Sequence, residues 1–297
     1  MRGAIDIGSN SVLLLVMDGT RVVHDEARVV GLGKGLGERG VFRPERMEAT
    51  LDALREFALT ATRLGVAPGE IRALATSASR RALNAPSFYT QVRKATGIVV
   101  NVISGEEEAR LTYLGGVDGM GVPKGLVMLC DPGGGSTELI LGEGPHIRSR
   151  VSMEIGTVRL TEKYLGYGAV DPAALARLRA EVDSVVGAVK LDGSPRSVIA
   201  VAGTATTLAA AELGLPAYDP AAVHGCTLSA GALRNWVDKL LAATPEGRRD
   251  LLAVSPDRAD TVLAGAVILL RVLELARRQS WRISDRGLRY GALASGS

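Results

Sequence analysis

The sequence has few of the residues that bind zinc, form disulfides or anchor a chain in a membrane. Its 297 residues include two cysteines and three histidines. Cys130 and Cys226 lie far apart and match no metal-ligand spacing, so we expect two reduced, buried thiols. No apolar run reaches the roughly 20 residues of a transmembrane helix, and no charged leader with an apolar segment precedes the first strand. We therefore expect a cytoplasmic protein with no membrane partner.

Neither sign of charge is in large excess, and aromatic side chains are scarce as well. The 35 Lys and Arg residues face 32 Asp and Glu residues, for a formal net charge of +3, and aromatics make up 4%. This mild excess lacks the concentrated basic patch of a nucleic-acid-binding protein, so we expect no nucleic-acid partner. The hydrophobic fraction of 46% and the 36 glycines predict an aliphatic α/β core with many tight turns.

An apolar strand pattern begins twice along the chain. The first half opens with predicted strands at residues 2–7, 11–17 and 21–30. After the Gly- and Pro-rich segment 119–125, the pattern restarts with predicted strands at residues 126–131, 137–142 and 146–153. We therefore predict two domains, over residues 1–121 and residues 122–297.

A degenerate motif, D-x-G-x-x-S, stands between the first and second strand of each half. It reads DIGSNS from Asp6 to Ser11 and DPGGGS from Asp131 to Ser136. Each copy ends one strand, forms a turn of small residues and leads into the next strand. The repeat predicts two similar α/β domains whose turns point into one cleft.

Turns of this composition are suited to binding phosphate and metal. Glycines allow a ligand to approach the backbone closely, and successive N–H groups form a concave anion site. Ser9, Asn10 and Ser11 add side-chain donors. A carboxylate such as that of Asp6 or Asp131 does not bind phosphate directly, but it holds Mg²⁺ or a bridging water. The alternative is a plain hairpin with an acid in its turn, which two matched copies disfavour.

A third candidate anion site lies where VAGTATTLAA changes from strand to helix. The strand is predicted to end at Ala202, and Gly203 and Thr204 open the helix. The N–H groups and the dipole of a helix start attract anions. For this stretch alone, an ordinary Gly-Thr helix start without a ligand is the favoured alternative.

Candidate catalytic acids lie in ISGEEEARLTYLG, residues 103–115. Ser104 and Glu107 fit a capping box, so Glu107 has a sufficient structural explanation. Glu108 is less well explained by capping. A carboxylate at this helix start suits a base that orients water for attack on phosphorus.

An arginine pair, Arg80 and Arg81, follows the predicted strand at residues 71–76. An arginine at this place suits bidentate binding of a phosphate. The alternative is a solvated helix face, and composition does not separate the two arginines.

Six stretches, in this order, resemble the exopolyphosphatase / guanosine pentaphosphate phosphohydrolase family: DIGSNS, SRRALNA, ISGEEEARLTYLG, DPGGGSTELILG, GTATTLAA and SDRGLRYGAL. The resemblance runs from residue 4 to about residue 293. It implies two ribonuclease-H-like α/β domains around a central cleft, as in the actin, sugar-kinase and chaperone-ATPase superfamily. It also implies Mg²⁺-dependent hydrolysis of a terminal phosphate from inorganic polyphosphate or from the guanosine pentaphosphate pppGpp.

The resemblance assigns roles to individual residues. It makes Glu108 the catalytic glutamate and favours Arg80 over Arg81. The substrate-binding residues that it implies are Gly8, Ser9, Asn10, Ser11, Arg80, Gly133, Gly134, Gly135, Ser136, Thr137, Gly203 and Thr204. The metal ligands are Asp131 and Glu138 together with Asp6, which stays open as a ligand, a water holder or the acid that shapes the turn.

Two positions depart from the family pattern, and two other functions stay open. Pro132 removes a backbone N–H where an aliphatic residue is usual, and Tyr290 stands where an acid is common. A kinase or ATPase of the same superfamily would bind ATP, but VAGTATT is not the glycine-rich adenosine signature expected for it. A non-catalytic sensor would bind polyphosphate or pppGpp without hydrolysis, and Glu108 argues against that. We expect a two-domain core without further helical domains, and a homodimer is the candidate assembly.

Overall fold

Two separate sheets organise the chain, which the computed structural model describes over residues 1–121 and 124–294. Contacts divide it into unit 1, formed by Met1–Gly115 and Leu288–Ser297, and unit 2, formed by Gly116–Gly287. This division differs from the predicted boundary between residues 121 and 122 in two ways: unit 2 begins at Gly116, and the last helix belongs to unit 1. Residues 122, 123 and 295–297 lie outside the described residues, so part of the predicted linker 119–125 does as well.

Unit 1 is built on a five-stranded sheet of order β3-β2-β1-β4-β5. Its strands are β1 (Arg2–Ile7), β2 (Ser11–Asp18), β3 (Arg21–Val29), β4 (Arg72–Ala75) and β5 (Val100–Val102). Its helices are α1 (Leu36–Arg39), α2 (Pro44–Arg63), α3 (Ser77–Arg81), α4 (Ala85–Thr96), α5 (Gly105–Val117) and the last helix of the chain, α13 (Leu288–Ala294). The first three strands are antiparallel, whereas β1, β4 and β5 are parallel.

Unit 2 is built on a six-stranded sheet of order β10-β11-β9-β6-β7-β8. Its strands are β6 (Val127–Pro132), β7 (Thr137–Glu143), β8 (His146–Met153), β9 (Ser197–Ala200), β10 (Thr227–Ser229) and β11 (Ser280–Ile283). Its helices are α6 (Thr157–Leu160), α7 (Pro172–Gly187), α8 (Ala202–Glu212), α9 (Pro220–Val223), α10 (Ala230–Ala242), α11 (Pro245–Leu251) and α12 (Ala259–Leu275). A π-helical turn, Thr161–Leu165, follows α6, and a 3₁₀ turn, Pro256–Arg258, precedes α12.

The two sheets repeat one topology. In unit 2 the order β8-β7-β6-β9-β11 matches β3-β2-β1-β4-β5 of unit 1, and β10 is an additional edge strand. In both units three antiparallel strands are followed by two parallel ones. The duplicated ribonuclease-H-like α/β architecture predicted from the sequence is thus confirmed.

Each unit has its own apolar core, which fixes the ends of its strands. In unit 1, Phe57 and Leu54 of α2 are fully buried with Ile5 of β1. In unit 2, Trp281 of β11 is buried with Ile268 of α12. Because the carboxyl ends of parallel strands meet at one edge of a sheet, residues that follow these strands lie together. No helix in the described part of the chain is long and apolar enough to cross a membrane.

Candidate active site

The first predicted turn joins β1 to β2 in unit 1. The N–H of Gly8 donates to the carbonyl of Ser11 at 2.9 Å, and the N–H of Gly33 donates to the carbonyl of Ser9 at 2.7 Å. Among the described residues, Oδ1 of Asn10 and Oγ of Ser11 are buried and have no hydrogen-bond partner within the protein. Buried polar atoms rarely lack a partner, so this turn presents groups fitted to a polar ligand.

Asp6, the acid of this turn, has an environment that favours a cation. Its Oδ1 is buried and accepts no hydrogen bond from the described residues. Burial and, secondarily, the negative charge of Glu108 raise the pKa of the Asp6 carboxyl to about 7, against the lowering effect of Arg289. A bound cation would supply the charge and the ligand bond that this carboxylate lacks.

The catalytic candidate Glu108 lies at the start of α5, with its side chain 14% exposed. Arg80, at the end of α3, donates from Nη1 to Oε2 of Glu108 at 2.7 Å and to the carbonyl of Ile103 at 3.0 Å. Burial raises the pKa of Glu108, while the charge and hydrogen bond of Arg80 lower it. The structure therefore brings together the predicted base and the predicted arginine. The Arg80 guanidinium hydrogen-bonds to the Glu108 carboxylate.

The neighbouring Glu107 has the structural role that its position predicts. Its N–H donates to Oγ of Ser104 at 3.2 Å, which is one half of a capping box. Its carboxylate accepts hydrogen bonds of 2.8 and 2.9 Å from Arg110, which lower its pKa against the opposing effect of burial. Glu107 is thus tied to its own helix, while the carboxylate of Glu108 faces Arg80.

The second predicted turn, between β6 and β7 of unit 2, resembles the first in how closely its first glycine approaches the serine that ends the turn. A Cβ added to Gly133 would lie 3.1 Å from the carbonyl oxygen of Ser136, and one added to Gly8 would lie 3.2 Å from that of Ser11. The two copies of D-x-G-x-x-S therefore share this close approach, whereas the N–H of Gly133 donates to the carbonyl of Asp131 at 3.0 Å instead of to that of Ser136. Asp131 stands directly opposite Glu138 in the second hairpin.

This acidic pair forms the candidate metal centre of unit 2. Oε1 of Glu138 accepts hydrogen bonds from Ser136 at 2.8 Å and Ser152 at 2.9 Å. Like charges directly opposite each other destabilise a strand pair, so a cation between Asp131 and Glu138 would stabilise this hairpin. Burial and both carboxylates raise the pKa of the Cys130 thiol well above its usual range.

The chemistry of these two carboxylates fits Mg²⁺. In the described residues no three His, Cys, Asp or Glu side chains are grouped as a metal site. Mg²⁺ in phosphoryl-transfer sites is usually held by one or two carboxylates, with water and substrate phosphates completing its shell. The pair Asp131 and Glu138 satisfies that requirement within one unit.

Two predicted binding residues use their side chains for packing. Oγ1 of Thr137 donates to the carbonyl of Ile155 at 2.7 Å, and Thr137 is fully buried. Thr204 is 6% exposed and packs on α12, where a Cβ added to Gly265 would lie 2.4 Å from Thr204 Oγ1. The predicted contact of these two threonines with substrate stays a prediction. Because their side chains are engaged in packing, it would be made by their backbone groups.

The third predicted turn, after β9, contains an arginine that the sequence did not indicate. Helix α8 begins at Ala202, one residue earlier than predicted, and Ala202 has a φ of 68°. Positive φ costs energy for a residue with a Cβ and is concentrated at functional sites. The guanidinium of Arg258 lies against Gly203, where an added Cβ would be 1.8 Å from Nη1. Arg258 was missed because SPDRAD carries no anion-binding pattern and the contact forms only on folding.

Comparisons with known proteins identify relatives along nearly the whole chain. The model of the Ppx/GppA phosphatase family matches residues 14–296. Exopolyphosphatase 2 of Mycobacterium tuberculosis is 35% identical over 294 residues, which cover 92% of this chain and 89% of that protein. Exopolyphosphatase 1 of the same organism is 30% identical over 300 residues, which cover 98% of this chain and 86% of that protein.

Solved structures show the same fold. The Aquifex aeolicus member of the Ppx/GppA family is 35% identical, with a TM-score of 0.80 over 99% of this chain and 96% of that one. An exopolyphosphatase-like protein is 32% identical, with a TM-score of 0.91 over 98% of this chain and 97% of that one. These values confirm the two-domain architecture along the chain.

Proposed function

Because the chain belongs to the Ppx/GppA phosphatase family, we propose that it is an exopolyphosphatase that removes the terminal phosphate of inorganic polyphosphate. The family resemblance inferred from six motifs is confirmed, and the chain is a hydrolase of phosphoanhydride bonds. The observation that supports the mechanism is the largely buried Glu108, held by Arg80 at 2.7 Å. Within the proposal, pppGpp is the second candidate substrate. Cytoplasmic location and a homodimer remain predictions.

Glu108 acts as the general base in this proposal. Its carboxylate accepts a proton from the attacking water while the water oxygen bonds to the terminal phosphorus. The phosphoanhydride P–O bond breaks, which releases orthophosphate and a polyphosphate shorter by one unit. The raised pKa of Glu108 makes it a better proton acceptor near neutral pH, and Arg80 keeps it oriented and ionised.

The small-residue turns bind the phosphates in this proposal. Asn10 and Ser11 in unit 1 have buried polar side-chain atoms without protein partners, which suits contact with phosphate oxygens. In unit 2 the backbone of the Gly133–Ser136 turn and that of Gly203 are assigned the same role. Arg258, placed against Gly203, adds a cation beside the third turn.

Mg²⁺ is the metal that we propose, with Asp131 and Glu138 of unit 2 as its ligands. Within unit 1, Asp6 is a carboxylate whose burial favours a cation. A phosphatase-family chain with these oxygen ligands suits a hard divalent cation. When bound, Mg²⁺ stabilises the negative charge that develops on phosphate oxygens. Ser136 and Ser152 orient Glu138 for this role through its Oε1.

Phosphate release from short polyphosphate, long polyphosphate, pppGpp and ATP, measured side by side, tests the proposal. We expect Glu108→Gln to lower the polyphosphate rate by about 10²- to 10⁴-fold, which is the usual contribution of a general base. Removal of metal with EDTA should abolish the wild-type rate, and added Mg²⁺ should restore it.

The matched control is Glu106→Gln, because Glu106 is exposed in the same helical turn. Near wild-type turnover in Glu108→Gln would contradict the role of the base. ATP-dependent transfer to a sugar without polyphosphate hydrolysis would favour a kinase. Tight binding of polyphosphate or pppGpp without phosphate release would favour a sensor.

A further inference from the structure

The last helix of the chain, α13, packs inside unit 1 on the face of the sheet that also carries Asp6. Alternate residues of a strand share a face, so Ala4 and Asp6 of β1 lie on the same one. Ala4 is fully buried in a cluster with Leu111 of α5 and with apolar residues of α13. The members that α13 supplies are Leu288, Tyr290, Ala292 and Leu293. Helix α13 therefore packs on the same elements that carry the candidate base and the candidate metal acid.

Helix α13 approaches the backbone of α5 closely at Gly291. A Cβ added to Gly291 would lie 2.0 Å from the carbonyl oxygen of Leu111, so only glycine fits there. Leu111 follows Glu108 by three residues, which places the two on neighbouring positions of one helix face. The depth at which α13 packs thus sets the position of the first turn of α5.

A buried charged cluster fixes the start of α13 on β3. Arg289 donates from Nε and Nη2 to the two carboxylate oxygens of Asp25, at 3.0 and 2.9 Å. The hydroxyl of Tyr290 donates to Asp25 Oδ2 at 2.8 Å. The side chains of Arg289 and Asp25 are only 9% and 11% exposed. We call Asp25, Arg289 and Tyr290 the α13 clamp.

Arginines fix the other end of α13. Arg72 donates to the carbonyl of Ala292 at 2.6 Å, and Arg2 donates to that of Leu293 at 2.8 Å. Cations at the carboxyl end of a helix stabilise it through the dipole. Arg72 also lies 3.6 Å from Glu107, the residue before the candidate base. Both ends of α13 are therefore held in unit 1.

We propose that α13 positions Glu108, with Gly291 and the α13 clamp as positioning residues. The inference rests on the proposed function, because it assigns these residues to the reaction that Glu108 serves. It also gives a role to Tyr290, the residue that departs from the family pattern, since its hydroxyl supports the Arg289–Asp25 pair. A displacement of α5 by a fraction of an ångström moves the carboxylate away from the attacking water, and such misplacement lowers the catalytic rate strongly.

Gly291→Ala tests the close approach. We expect kcat for polyphosphate to fall at least about tenfold, because the new methyl group displaces α5, while KM changes little. Gly69→Ala is the matched control, since a Cβ at Gly69 meets nothing within 4 Å. Circular dichroism establishes the folded fraction of each variant before kinetics. A folded Gly291→Ala protein with wild-type kcat, or with a changed KM and unchanged kcat, would overturn the proposal.

Arg289→Lys tests the clamp in a protein that keeps the charge beside Asp25. We expect kcat to fall at least about threefold with unchanged KM. Lysine cannot reproduce the two parallel hydrogen bonds that the Arg289 guanidinium donates to Asp25. Arg55→Lys, at an exposed pair with Asp52, is its control. If Gly291→Ala does not fold, wild-type kcat in Arg289→Lys overturns the inference. Failure of the wild-type protein to release phosphate would instead refute the proposed function.

Discussion

Glu107 and Glu108 are neighbours in sequence, but their carboxylates have different partners in the structure. The spacing S-x-x-E explains Glu107, and the structure ties it to Ser104 and Arg110. Glu108 is one residue further, about 100° around the helix, and its side chain is largely buried against Arg80. The capping pattern therefore accounts for Glu107, and the family resemblance assigns the catalytic role to Glu108. The sequence does not show that Arg80 hydrogen-bonds to Glu108, because that contact joins residues 28 positions apart.

The pairing of Glu108 with Arg80 predicts the direction in which activity depends on pH. In the proposed mechanism Glu108 must be ionised to act as the base, so we expect kcat/KM to fall as pH drops through its raised pKa. The Arg80 cation lowers that pKa against the effect of burial. Arg80→Met should therefore move the acid limb of the kcat/KM profile to higher pH, as measured by phosphate release across a pH series.

The matched control for this prediction is Arg81→Met, because Arg81 is the exposed neighbour of Arg80 on α3. Arg81→Met should leave the acid limb in place. An unchanged limb in Arg80→Met would show that Glu108 is not the group whose ionisation governs the rate.

At the scale of elements, the turns were predictable and their supports were not. The D-x-G-x-x-S motif, the strand alternation and the small residues together predict two hairpin turns, and both form. The support of the second turn comes from α6, where the N–H groups of Val158 and Arg159 each donate to the carbonyl of Gly134 at 3.0 Å. Such supports depend on packing between elements, which periodicity does not encode.

Gly156, at the start of α6, tests the support of the second turn. A Cβ there would lie 2.5 Å from the carbonyl oxygen of Gly134, so Gly156→Ala must displace the backbone of the turn. We expect a loss of about 1–3 kcal/mol in the free energy of unfolding, as for other overpacked sites. We also expect at least about a tenfold loss of kcat/KM, because the backbone proposed to bind phosphate moves.

Urea unfolding and phosphate release measure the two effects of Gly156→Ala. Gly168→Ala in the same unit is the matched control, because a Cβ at Gly168 meets nothing within 4 Å. Wild-type kcat/KM in a folded Gly156→Ala protein would remove the Gly133–Ser136 turn from the proposed site.

At the scale of the whole molecule, the duplicated topology was predictable and the unit boundary was not. Six ordered motifs identified the family, and the two sheets repeat one strand order. The chain from Leu288 belongs to unit 1 because α13 packs on β1, a contact between opposite ends of the sequence. The composition shift at residues 119–125 marks a local break, and local composition does not reveal which sheet a distant helix joins.

Because each unit has its own core, we expect a core mutation in one unit to change the unfolding transition of that unit alone. Both tryptophans, Trp236 and Trp281, lie in unit 2, so fluorescence reports on unit 2 and far-UV circular dichroism reports on both units. Phe57 is fully buried in the unit 1 core, and Phe57→Ala should destabilise unit 1 by roughly 3–5 kcal/mol. In urea, the circular dichroism transition of Phe57→Ala should split or shift while the fluorescence midpoint stays.

Ile268→Ala, in the unit 2 core, should instead lower the fluorescence midpoint. An equal shift of both signals in Phe57→Ala would show that the two cores unfold as one cooperative structure.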